Sequence, residues 1–149
     1  MENTKRTVTC GELRKSDVGK KVVLNGWVSR TRDLGGLIFI SLRDRYGITQ
    51  VMVGDNASDD VKKIAAGLKS EYCIAVEGVV AARSDKDINP DMATGEIEVL
   101  IKSLEVLGEC SNVLPFEINR SKESFEDTRL KYRYLDLRNP EVHERILFR

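Results

Sequence analysis

The period of the hydrophobic pattern changes twice along this chain, and the places where it changes leave few architectures open. Three stretches read as strands: KKVVLNGWVSRTR (20–32), rich in β-formers and centred on Trp27, then LIFISLRD (37–44) and ITQVMV (48–53), which alternate with period two. The pair Gly35-Gly36 separates the first from the second, and RYG at 45–47 forms a tight turn into the third, so the three read as an antiparallel meander. The pattern then switches to a helical one in ASDDVKKIAAGLKSE (57–71), where Val61, Ile64, Ala65 and Leu68 share a face. Ser58 is placed to cap that helix, with Asp59 and Asp60 at its positive end. Period two returns in YCIAVEGVVAAR (72–83). It returns again in EIEVLIKSLEVLGE (96–109), where Ile97, Val99 and Ile101 alternate inward, and between the two lies the polar loop SDKDINPDMATGE.

Three strands, a helix and two strands is the order of an OB-fold, a mainly β, five-stranded, partly open barrel. A generic β-barrel with an inserted helix has the same order and stays open on this ground alone. The expected helix spans 57–69, lies between the third and fourth strands and plugs the barrel. Ahead of the first strand, TCGELRKSDVG (9–19) reads as a short helical turn ending at Gly19. Past residue 108 barrel alternation stops. NVLPFEINRSKESFEDTRLKYRYLDLRNP reads as a charged connector with one helical piece near 125–133, and Pro140 opens a further helix. That helix meets the end of the chain without a cap, the pattern of a piece cut from a longer polypeptide.

Composition narrows the function classes. With 24 basic and 24 acidic residues, the net charge is zero, which argues against a nonspecific nucleic-acid coat but leaves room for a local basic patch. No apolar run has the length of a membrane span, and MENTKRTVTC lacks the apolar centre of a secretory signal, so the expected compartment is cytoplasmic. Cys10, Cys73 and Cys110 form no CxxC pair and His143 is the only histidine, so neither a zinc site nor a disulfide framework is expected. Cys73 reads as a small core residue. The spacing of Asp85, Asp87, Asp91 and Glu96 does not match a calcium loop.

The second strand poses the functional question. Ile38, Ile40 and Leu42 fall on one face as core, which turns Leu37, Phe39 and Ser41 the other way. Gln50 on the third strand and Glu98 on the fifth alternate outward as well. If the strands pair as in an OB barrel, Phe39, Gln50 and Glu98 share the outer face. A ring beside an amide and a carboxylate suits unpaired bases, which stack on the ring and offer their edges to polar groups. A solvated face with a lone exposed aromatic is the plain alternative. Arg30, Arg43 and Arg45 could contact phosphate or pair with Asp33 or Asp44. Trp27, opposite in parity to Arg30 and Arg32, reads as core.

The segments NGWVSRTRDLGGLIFISLRDRYGITQV, INPDMATGEIEV and LKYRYLDLR together resemble the N-terminal part of the bacterial-type aspartyl-tRNA synthetases. The resemblance covers nearly the whole chain. It implies an anticodon-binding OB-fold domain over 1–108, then over 109–149 a partly helical hinge and the start of a class II catalytic domain whose motifs lie beyond this chain. It implies that the chain binds the anticodon loop of aspartate tRNA without charging it. The full-length ligase is implied to be an ATP- and Mg2+-dependent homodimer held by the catalytic domain, with no DNA or membrane partner; no cofactor is implied within 1–149.

By the same resemblance Phe39 matches the position that stacks on the middle anticodon base, a uridine, while Gln50 and Arg32 match positions that hydrogen-bond it. Glu98 matches the position reading guanine or its queuosine derivative at the first base. Asn89 and Arg83 match loop positions near the anticodon backbone or third base; Arg30 is the expected phosphate ligand because it accompanies Arg32, not because of the resemblance. Two departures stand out: Ala81 where many relatives carry arginine, and Asp87 where they carry asparagine. Both imply weaker phosphate contact around the loop. A free-standing single-strand-binding or protein-interaction OB module is the competing reading.

Overall fold

The computed structural model describes residues 1, 3–110 and 113–149. It divides into two compact units, Met1–Cys110 and Ser111–Arg149. The first is a closed barrel of β1 (Lys21–Leu34), β2 (Leu37–Arg43), β3 (Ile48–Val53), β4 (Cys73–Ala82) and β5 (Ile97–Gly108), with α1 (Asp59–Ala66) between β3 and β4. The barrel order is β1-β2-β3-β5-β4. Every pairing is antiparallel except β3 with β5. This is the OB topology that the order of elements predicts.

Alternation drives the closure. Along β2 and β3 buried residues strictly alternate with half-buried ones until the last residue of β2. Ile38, Ile40, Leu42, Val51 and Val53 join Leu24, Val28, Ile74, Val76, Ile97 and Val99 in one core. The β1–β2 hairpin turns through Gly35 and Gly36 at φ 66° and 98°, the left-handed values that a two-residue turn of this kind needs. Asp33 Oδ1 accepts from the Gly36 amide at 3.1 Å and braces that turn.

Helix α1 starts as expected: Ser58 Oγ accepts from the Val61 amide at 3.4 Å. It ends earlier, at Ala66, because Gly67 closes it by donating back to Ile64 and Ala65. Val61, Ala65 and the following Leu68 enter the barrel core, so the helix plugs it. Ile64 is the exception on the expected face and stays 36% exposed. Ahead of β1, the turn of 9–19 is a short 3-10 helix at Lys15–Asp17, and Cys10 and Leu13 drop into the core. Cys73, expected as core, is only half-buried. It begins β4 opposite Trp27, one residue out of phase with the inward Ile74.

One irregularity decides which side chains face outward. The β1–β2 register runs Val28↔Leu42, then Arg30↔Ser41 and Arg32↔Phe39, so Ser29 is an extra residue in β1. The bulge reverses the parity of β1. Trp27, opposite Arg43, therefore lies on the same face as Arg30 and Arg32, and it is half-buried rather than core. A strand read as regular puts it on the wrong side.

In the second unit, Ser111 and Asn112, where the expected connector begins, lie outside the described residues. A 3-10 segment, Ile118–Glu123, is followed by α2 (Glu126–Lys131), α3 (Arg133–Asp136) and α4 (Pro140–Phe148). The single helical piece expected near 125–133 is thus two, broken at Tyr132 with ψ 44°. Phe116, Ile118 and Leu135 form a small core with Leu114 and Tyr132. Asn139 caps α4 through Oδ1, accepting from Glu141 N at 3.0 Å, and its Nδ2 donates to Ser121 Oγ at 3.1 Å. No helix among the described residues is long and apolar enough to cross a membrane.

Candidate nucleic-acid interface

The outer face of the β1-β2-β3-β5 sheet collects the polar and aromatic positions in register. One rung reads Arg32, Phe39, Met52, Leu100 and Val79, each opposite the next. The neighbouring rung brings Arg30, Ser41 and Gln50 together, with Ala81 opposite Glu98 on the far side. Gln50 Nε2 donates to Glu98 Oε2 at 3.0 Å, which closes the second rung across the parallel β3–β5 seam. Phe39, Gln50 and Glu98 are thus assembled on one surface, each half-buried.

Met52 and Leu100 extend the apolar strip beside Phe39, and Leu100 is 37% exposed. The sequence held the signal for both: Met52 shares the outward parity of Gln50, and Leu100 that of Glu98. Arg30 and Arg32 are exposed and form no ion pair among the described residues. The face therefore offers an apolar strip for stacking, an amide–carboxylate pair for base edges, and two exposed guanidiniums for base edges or phosphate.

The other expected arginines have different fates. Arg43 is buried, and its Nη2 lies 2.9 Å from each carboxylate oxygen of Glu71. Its partner is neither Asp33 nor Asp44, because those carboxylates brace turns. Asp44 accepts from the amides of Cys10, Tyr46 and Gly47. Glu71 sits at φ 67°, left-handed for a non-glycine residue, with its backbone amide donating to Val28 O at 2.7 Å and its carboxylate on Arg43. Arg43 is accordingly not available to phosphate. Arg45 is exposed, with its guanidinium 5.5 Å from the Tyr46 ring centre, while Arg6 approaches the same ring at 5.8 Å.

The β4–β5 loop is held by Arg83. Its Nε donates to Ile97 O at 2.9 Å and its Nη1 reaches Asp87 O at 3.4 Å; Nη2 is buried without a hydrogen-bond partner. Burial pushes the Arg83 pKa down, against the opposing charges of Glu98 and Asp87. Asn89 is part of the loop frame: its amide donates to Gly95 O at 3.1 Å, and its Oδ1 accepts from Asp91 N at 3.0 Å. The Asp87 carboxylate accepts the Ser84 hydroxyl. Both expected loop residues therefore spend polar atoms on backbone that positions the loop. Among the described residues no group of three or more His, Cys, Asp or Glu side chains could hold a metal ion.

A closed five-stranded barrel in this strand order, with a helix between the third and fourth strands, is an OB-fold domain. The chain belongs to the tRNA anticodon family, described as an OB-fold nucleic acid binding domain, whose model matches residues 22–107. It is 58% identical over its whole length to the Aspartate--tRNA(Asp/Asn) ligase of Treponema denticola, covering 25% of that protein. It is 49% identical over 97% of its length to the enzyme of the same name from Desulfatibacillum aliphaticivorans, covering 24% of it. The crystal structure of asparaginyl-tRNA synthetase from Pyrococcus horikoshii matches 89% of the chain with a TM-score of 0.74 and 31% identity, over 30% of that chain. The chain thus spans about a quarter of the length of these curated relatives.

Proposed function

We propose that the barrel is the anticodon-binding domain of an aspartate–tRNA ligase and that its outer face reads the anticodon loop of aspartate tRNA. The observation that carries this is the placement of Phe39 one rung from the hydrogen-bonded Gln50–Glu98 pair. Phe39 stacks on the middle base, a uridine. Gln50 and Arg32 hydrogen-bond the edge of that base, and Glu98 accepts from guanine at the first base. Arg30 contacts phosphate. Arg83 and Asn89 shape the β4–β5 loop against the anticodon backbone and third base.

Residues 109–149 serve as the hinge and the start of the catalytic domain. The full-length ligase attaches aspartate to its tRNA in the cytoplasm as a homodimer, using ATP and Mg2+, both bound beyond this chain. The relatives are named for both aspartate and asparagine tRNA. Those tRNAs share the first two anticodon bases and differ at the third, so a face that reads through Glu98 and Gln50 accepts both loops.

The test is a filter competition at one salt concentration. Aspartate and asparagine anticodon stem-loops should both compete with labelled aspartate tRNA, and an unrelated hairpin should not. Equal competition by all hairpins would leave a nonspecific single-strand binder, and competition by none would leave a protein-interaction module.

A further inference from the structure

We infer that Glu98 is a positioning residue for Gln50, so that the two side chains read neighbouring bases as one unit. This rests on the anticodon reading above and adds a coupling between its two edge-reading groups. Gln50 lies on β3 and Glu98 on β5, adjacent strands that run parallel through Val51↔Val99. The side chains meet at 3.0 Å, Nε2 to Oε2. Their ladder partners are small, Ser41 opposite Gln50 and Ala81 opposite Glu98, and both side chains are only half-buried, which leaves part of the pair accessible.

The chemistry of the contact is directional. An ionised carboxylate only accepts, so it fixes which end of the amide faces it. Turning the amide over would set Oε1 against Oε2, two acceptors with no proton between them. With Nε2 committed to Glu98, Oε1 and the second Nε2 proton remain for the base. Uracil offers an N3–H donor beside a carbonyl acceptor, which this orientation satisfies. Cytosine offers an acceptor at N3, which this orientation opposes. An unanchored amide could turn over and satisfy cytosine equally. Glu98 therefore favours uridine at the middle position without touching it, in addition to reading the first base.

Two variants separate the roles. Glu98→Gln loses the charge and swaps the acceptor-only carboxylate for an amide that can face Gln50 by either end, whereas Glu98→Ala removes the partner altogether. Stem-loops with uridine or cytidine at the middle base, and guanosine or adenosine at the first, are titrated against wild type, both variants, Gln50→Ala and the double Gln50→Ala/Glu98→Ala. Glu98→Ala should narrow the uridine-to-cytidine ratio by about fivefold, the scale of one hydrogen bond. Glu98→Gln, whose amide can meet either end of Gln50, should narrow the ratio as well and lose first-base selectivity, and Glu98→Ala should change it by less than about twofold when Gln50 is already alanine. The RNA-free protein gives a second readout: the side-chain amide protons of Gln50 should move toward free-glutamine positions in the nitrogen-correlated spectrum of Glu98→Ala. An unchanged uridine-to-cytidine ratio in a folded Glu98→Ala protein, with first-base selectivity lost, would overturn the coupling alone. A wild-type chain that fails to prefer the matched loop would overturn the anticodon reading and this inference with it.

Discussion

Arg32 stands directly opposite Phe39 in the β1–β2 ladder, and it does so because Ser29 is an extra residue in β1. Without that bulge Arg32 would share the inward parity of Val28. The cation and the ring that the anticodon reading needs side by side are brought together by one irregularity in an otherwise regular strand. Arg30 is carried outward by the same bulge and lands opposite Ser41.

Arg30 gives a salt-dependent prediction. A phosphate contact contributes affinity without sequence preference, so Arg30→Ala should weaken matched and mismatched stem-loops alike. It should also lower the slope of log affinity against log salt by about 0.7, the value for one single-strand phosphate. Titrations at four salt concentrations check it. An unchanged slope would place Arg30 off the RNA path.

The Arg43–Glu71 pair predicts a stability effect with no binding effect. Removing one partner leaves a buried charge, so Arg43→Ala should cost about 3–5 kcal/mol in a urea melt. Replacing both, Arg43→Met with Glu71→Leu, should cost less than Arg43→Ala alone. The surviving folded Arg43→Ala protein should bind stem-loops as wild type does.

Much of this was legible in the sequence, and the failures have physical causes. Alternation in LIFISL turned Phe39 outward, the change of period at Ala57 located α1, and Ser58 announced its cap. Nothing in VSRTR marks Ser29 as a bulge: no glycine stands there, so Trp27 was placed in the core. Arg43 and Glu71 are 28 residues apart, and no local pattern pairs them. Arg83 looks like an exposed loop cation until the fold brings Ile97 O and Asp87 O to it. Met52 and Leu100 are legible by parity with Gln50 and Glu98. The break at Tyr132 lies inside a stretch with good helix formers on both sides, and tertiary packing around Leu135 decides it.

Gly95 tests the loop frame. A Cβ there would sit 1.8 Å from Asn89 O, so the backbone must move. Gly95→Ala should lower stability by about 1–3 kcal/mol, as overpacking does, and weaken stem-loop binding by displacing Asn89. Gly54→Ala is the matched control. Its added Cβ meets only Met52 Cε at 3.9 Å, and its stability should stay within about 0.5 kcal/mol of wild type.

Asp136 predicts a pH dependence for the helical unit. Burial pushes its carboxyl pKa up, but hydrogen bonds from Arg129 and Ser121 and the charges of Arg129 and Arg133 outweigh this and hold it below the ordinary value. A group depressed in the folded state contributes stability above its unfolded pKa and loses it as pH falls through the folded one. Hydrogen exchange across 118–145 should show wild type more protected than Asp136→Asn at neutral pH. That difference should shrink as the pH falls below the ordinary aspartate range. A difference independent of pH would show that the charge is not what matters.

The account turns on Phe39, and one variant tests it. Loss of a stacking ring costs about 1–3 kcal/mol of binding, roughly 5- to 150-fold, whereas loss of a core phenylalanine costs about 3–5 kcal/mol of folding stability. Fluorescence titrations and urea melts of Phe39→Ala measure both quantities on one protein. The account predicts weaker binding of matched and middle-base-substituted aspartate stem-loops alike, with stability lowered by no more than about 1 kcal/mol. A Phe39→Ala chain that melts out while its folded fraction binds with wild-type affinity would contradict it.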